Sequence, residues 1–327
     1  MKKVIKKIFR PEFALFWLIG ATLVFFAIAE PAFFGYSNLM LVLKNASYMS
    51  IMVLGVTWAI AIGETDVAFP DVAACASMVF AWLASNGVNM AVAILAALAA
   101  GALCGILTSF LVVKLKFNAL ITTIAVSVIA KSIAAAINGG MPLSCPVIKS
   151  TGLYHFINGD LFGIPVVFLI SLVIYAILLL VQEKTRFGQY VYALGENRQA
   201  VKEAGVKSGV IMSSVFTLSS VFAALAGVIM VFVVYGSGQP KMGSSFFLDG
   251  LTVVFLGAMV LKLGKTNVVG TFLGGIMLAM IVNGLTMMGA TFATSQIVKG
   301  ILLVIGIVMA AMGQKKRKGK VGILKYE

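Results

Sequence analysis

The side chains in this sequence that could do chemistry are few and scattered. Asp66 and Asp71 stand five residues apart, a spacing that does not stack two carboxylates on one helix face. They admit two readings, a proton or sodium relay and a structural role. Lys131 and Lys299 each interrupt an apolar run. A charge at a helix centre costs ~2.5–3.5 kcal/mol on insertion scales, so such residues usually face protein or water. The single histidine, His155, has Asp160 as its only nearby acid, which assembles neither a metal set nor a nucleophile triad. Cys75 and Cys104 lie in apolar runs and Cys145 sits alone in a loop, so no disulfide framework is implied. No G-x-x-x-x-G-K-[ST] phosphate loop occurs. The chain is therefore expected to hold no metal or cofactor and to hydrolyse no ATP of its own.

What must position these groups is a set of long apolar segments. Residues 90–113 carry no charge at all, and 24 residues at ~1.5 Å rise cross the ~30 Å hydrocarbon core of a bilayer. Comparable runs recur. The composition agrees: 61% of residues are hydrophobic and 11% charged, far from the balance of a soluble domain. The expectation is an all-α polytopic membrane protein with ten spans, at about 12–30, 40–62, 67–85, 89–113, 117–137, 162–182, 209–235, 248–262, 266–287 and 294–312. All 327 residues are expected to form one transmembrane domain. The basic N-terminus followed by an apolar run ends at Glu30-Pro31 without a small-residue cleavage site, and reads as a retained first span.

The excess of Lys and Arg over acids reads as loops flanking spans rather than as a nucleic-acid surface. With the N-terminus inside, one side collects Lys2, Lys3, Lys6, Lys7, Arg10, Lys114 and Lys116. It also collects Lys184, Arg186, Arg198, Lys202, Lys207, Lys262 and Lys265 and the basic tail 313–327, which includes Lys325. That is most of the basic residues, so both termini are expected in the cytoplasm. The eighth span has only twelve uncharged residues, 250–261, and reads as short, tilted or broken. Gly101/Gly105 and Gly270/Gly274 place small residues one turn apart, a pattern for close helix packing.

Residues 184–208 are different in kind: charged, amphipathic and punctuated by Gly195 and Gly205. From Asn197 to Ala204 the pattern predicts a short helix along the inner membrane face, stopped by Gly205. The run T-x-F-G-x-x-x-x-A-L-G-x-N-x-x-A-x-x-x-G-V that begins at Thr185 resembles the cytoplasmic loop of the ribose-type permeases of bacterial ATP-binding-cassette importers. The resemblance continues, in order, through Lys116-Phe-Asn-Ala-Leu-Ile-Thr-Thr, Ser219–Gly227, Phe247-Leu-Asp-Gly-Leu-Thr, Gly270-Thr-Phe-Leu-Gly-Gly, Asn283-Gly-Leu-Thr and Val298-Lys-Gly.

The resemblance implies a translocation subunit in the bacterial inner membrane. It implies separate ATPase subunits that hold ATP and magnesium, an extracytoplasmic solute-binding protein and a second permease chain. It places the ATPase-coupling residues at Gly195, Glu196, Asn197, Ala200, Ala204 and Gly205, and points to a monosaccharide, with nucleosides and polyols open. Candidate substrate-path or gate residues are Trp58, Asp66, Asp71, Trp82, Asn118 and Asn283, the tryptophans because aromatic rings stack on sugar faces. The chain departs from the family in one place. A G-x-D-L-S-x-G signature is expected before the third span, and here Ala68 and Pro70 replace its Ser and second Gly while Asp66 is kept. That change either alters the solute or only re-caps a helix.

Overall fold

A computed structural model of the chain describes residues 13–261 and 263–323. The basic N-terminal cluster, the first residue of the expected first span, Lys262, and Lys325 at the end of the tail lie outside the described residues. Beyond Lys315 only the backbone of the tail is described.

The architecture is mostly helical. In chain order it runs α1 (Ala14–Ala29), a 3-10 turn (Pro31–Phe34), α2 (Tyr36–Ala61), α3 (Phe69–Ser85), α4 (Met90–Ser109) and α5 (Ala119–Ile137). A polar stretch follows, holding β1 (Leu143–Ser144), α6 (Gly152–Asn158), β2 (Asp160–Leu161) and β3 (Ile164–Pro165). Then come α7 (Val166–Lys184), α8 (Arg186–Glu196), α9 (Arg198–Glu203) and α10 (Ser208–Met230). The chain ends with β4 (Ser237–Gly238), α11 (Met242–Gly257), α12 (Val268–Met287) and α13 (Phe292–Ile323). The strands are two residues long and pair antiparallel, β1 with β4 and β2 with β3, an addition to the expected all-α architecture. α4 and α10 each finish in a wider π turn, Phe110–Lys114 and Val231–Tyr235.

Among the described residues, seven helices are long and apolar enough to cross a membrane: α2, α4, α5, α7, α10, α12 and α13, with the π turns counted. α1, α3 and α11 are shorter apolar helices. The eighth expected span is displaced. Its helix starts at Met242 and ends at Gly257, so 258–261 are apolar but not helical. The reason is chemical. Asp249 is buried within the helix although it broke the uncharged run, and the Asn267 side-chain amide donates to the carbonyls of Val260 (2.9 Å) and Lys265 (3.1 Å) in the turn that follows. Asn267 Oδ1 then accepts from Gly270 N at 2.8 Å and caps α12, a contact typically worth ~1 kcal/mol.

The helices fall into two compact units, residues 47–250 in one and 1–46 with 251–327 in the other. In the 47–250 unit α3 is the most buried element, with Ala73, Ala74, Ala76, Ala81 and Ala84 among its buried residues. A Cβ at Gly101 or Gly105 would press into α10, at Ser220 and Ala224 or at Phe216 and Thr217. The glycine pair thus packs helices within one chain. In lipid, where apolar burial gives little driving force, such backbone approach is what holds helices together. The other unit is built around Phe26 stacked on Phe33 at 4.8 Å, with Asn283 donating to Asn38 at 2.6 Å.

Candidate functional site

Two places in the 47–250 unit bring candidate functional side chains together. The first is the segment after α7. Thr185 accepts from Gly188 N and starts α8; Asn197 breaks it, accepts from Ala200 N at 3.0 Å and starts α9. The short helix expected from Asn197 to Ala204 is α9; a further helix, α8, precedes it, and Gly195 lies inside that one rather than punctuating the segment. Its role is close approach: a Cβ there would overlap the carbonyl of Ala61 at the end of α2. Arg198 adds a second tie, donating to the Ile62 carbonyl at 3.1 Å and pairing with Glu64 at 2.6 Å. Phe187 meets the buried Trp58 edge-on, centroids 5.4 Å apart. Tyr192, whose phenol is held protonated by burial, donates to Gln182 Oε1 at 2.7 Å. Glu196, Ala200, Ala204 and Gly205 remain on the exposed side, and Gly205 ends the segment at φ +76°.

The second place is a cleft of about 320 Å³ walled by the start of α3, one stripe of α5 and the start of α11. Asp71 lies in the first turn of α3. Its Oδ2 accepts the Ser127 hydroxyl proton, and its buried Oδ1 has no hydrogen-bond partner. A Cβ on Gly243 would overlap that same Oδ1, so a glycine there gives the carboxylate the room it needs against the start of α11. Lys131, Ser244 and Phe247 line the cleft with Leu120 and Ile124. Leu120, Ile124, Ser127 and Lys131 follow a 4-3-4 spacing, which puts them on one face of α5.

The remaining candidates separate. Asp66 is buried just before α3 and accepts from Ala68 N at 2.9 Å. Pro70 sits in the first turn of that helix, where a missing N–H costs nothing, and Ala68 leaves the N-cap without a side-chain partner. The altered signature therefore forms a helix start. Asn118 caps α5, accepting from Leu120 N and Ile121 N. Asn283 pairs with Asn38 in the other unit. Trp58 is buried with Nε1 unpartnered, and Trp82 is 49% exposed; neither lines the cleft. Ser127, Gly243 and Ser244 were not singled out by the sequence. Only the α5 stripe hinted at them, since Ser127 shares the face of Lys131.

The chain as a whole is similar to known proteins. Residues 38–307 match the family described as the branched-chain amino acid transport system / permease component. The ribose import permease of Escherichia coli K12 is 30% identical over 309 residues, 92% of this chain and 96% of that one. The ribose import permease of Bacillus subtilis strain 168 is 28% identical over 91% of each chain. The galactofuranose transporter permease of E. coli K12 is 27% identical over 80% of this chain and 76% of that one. With seven long apolar helices, this kinship makes the chain a multi-pass protein of the bacterial inner membrane. It belongs to the branched-chain amino acid transport system / permease component family, among the ribose-type permeases of ATP-binding-cassette importers.

Proposed function

We propose that this chain is the translocation subunit of an importer for a monosaccharide, working as one permease domain of ten spans with both termini in the cytoplasm. The observation that carries the reading is the 30% identity to a ribose import permease along nearly the full length of both chains. An extracytoplasmic binding protein delivers the solute. Two permease chains form the path, and two ATPase subunits, which hold ATP and magnesium, dock on residues 184–208. The permease itself carries no nucleotide site.

The coupling follows from the ties of α8 and α9. A push on the exposed side of Ala200, Ala204 and Gly205 is delivered through Gly195 and Arg198 to residues 61–64. From there a short connection leads to Asp71 in the cleft. The ATPases then need only bias two arrangements of the α2–α3 junction, and a weak solute site suffices because hydrolysis supplies the gradient work.

The test is reconstitution. Purified chain alone should show no ATP turnover above background, while proteoliposomes holding the chain, its ATPase and its binding protein should take up labelled ribose only with ATP. Robust hydrolysis by the chain alone, or ATP-independent uptake, would refute the proposal.

A further inference from the structure

Asp71 stands out as an unfinished interaction. One oxygen is satisfied by Ser127, the other is buried against Gly243 and has no hydrogen-bond partner. A buried acceptor without a donor is costly unless something supplies one. Lys131 lines the same cleft twelve residues into α5, ~18 Å from its start at ~1.5 Å per residue. A lysine at that depth, exposed on the chain, does not face acyl chains cheaply. The face is therefore wet or covered by polar material.

We propose that this cleft is a hydroxyl-binding subsite on the solute path, taking a neutral polyhydroxylated solute by two adjacent hydroxyls. One hydroxyl donates to Asp71 Oδ1 and accepts from Lys131; the next reaches Ser244. Phe247 offers a flat apolar surface to the C–H face of the same ring. An amino acid would also find a carboxylate and an ammonium here. The polyol fits better, because the Ser127 hydroxyl already engages one oxygen of the carboxylate and leaves Oδ1 as the one oxygen without a partner, enough for a hydroxyl but poor for the three donors of an ammonium. The inference rests on the importer reading for the solute class and not for the wetness of the cleft.

The experiment has two arms. In the first, Ser244→Cys is introduced with Cys75→Ala, Cys104→Ala and Cys145→Ala, and membranes are treated with a positively charged methanethiosulfonate. Labelling is expected, slowed by ribose and not by leucine. No labelling, or protection by leucine alone, would overturn the subsite. In the second, Asp71→Asn, Ser127→Ala and Gly243→Ala are assayed in the reconstituted importer. Uptake at subsaturating ribose should fall about tenfold or more, the loss expected for one hydrogen bond to a charged group, with ATPase co-purification intact. Ser132→Ala, on α5 outside the cleft, should leave uptake unchanged. Wild-type uptake in both Asp71→Asn and Gly243→Ala would overturn the subsite, and a poorly expressed Gly243→Ala leaves Asp71→Asn to decide. Failure of the wild-type complex to import anything would refute the importer reading instead, while the labelling arm still reports on the cleft.

Discussion

The segment α8–α9 and the cleft at Asp71 use glycine in the same way but for different groups. Gly195 lets one backbone seat on another: its missing Cβ is filled by the Ala61 carbonyl, and the helix is fixed to the end of α2. Gly243 likewise yields the place of its Cβ to an oxygen, but that oxygen is Asp71 Oδ1, a buried carboxylate oxygen with no hydrogen-bond partner. The first place is tied to its own chain through Gly195, Arg198 and Phe187. The other holds an unsatisfied acceptor. In the proposed importer the first place is a docking handle, which must transmit force and so is tied to its own chain; the cleft is a transport site, which must release what it binds and so leaves a contact for the solute to finish.

The largest effect expected from breaking this contrast is at Gly195. Gly195→Val must displace α8 from α2, an overpacking cost of ~1–3 kcal/mol or more. Thermal stability of the purified chain should drop and ATPase co-purification should be mostly lost. Unchanged values of both would mean that α8 is not seated on α2.

Gly205→Val separates docking from folding. The residue sits at φ +76° with no atom near a prospective Cβ, so the cost is backbone strain, ~1–2 kcal/mol. Membrane insertion and yield should match the wild type, while uptake per ATP hydrolysed should fall. Wild-type uptake and wild-type ATPase binding would place the coupling contact elsewhere.

How much of this was legible beforehand depends on whether a signal is local. Long uncharged runs announced the helices, and α4, α5 and α12 start or end within two residues of their expected limits. α11 was misplaced because hydropathy counts charge and cannot see that Asp249 is buried within the helix. Gly205 as a stop was legible, since a left-handed residue after a short polar helix has a local cause. Gly195 was not, because the atom that forbids its side chain is 134 residues away in sequence. The cleft was half legible: Asp71 and Lys131 are visible as misplaced charges, but Gly243 acquires meaning only when α11 lies over α3.

Arg198→Ala should have a smaller effect. Its partner Glu64 and its own side chain are 20% and 47% exposed, a setting where ion pairs are worth ~0.2–1 kcal/mol. The lost donor to the Ile62 carbonyl adds a comparable amount. Stability should change little, but uptake should become more sensitive to salt if Glu64 is left to pair with solution cations. Arg198→Lys should restore part of the loss, because it keeps the charge and gives up the planar fork. Equal losses in the two variants would show that guanidinium geometry, not charge, holds α9 to α2.

The smallest effect is expected at Trp82, which discriminates between an aromatic that meets solute and one that meets the surroundings of the chain. The ring lies late in α3, about half exposed, and the cleft is at the other end of that helix. Eleven residues at ~1.5 Å rise separate Trp82 from Asp71 by ~16 Å, too far for one monosaccharide to touch both. Exposed aromatics near helix ends commonly anchor at the membrane interface. Trp82→Phe keeps that anchoring and should leave uptake within about twofold of wild type, while Trp82→Ala should cost at most the ~0.5 kcal/mol of an ordinary surface change. Phe247→Ala, which removes the one aromatic wall of the cleft, should lower apparent affinity for ribose without changing maximal uptake. A loss at Trp82 larger than that at Phe247 would move the solute path to the far end of α3 and away from Asp71.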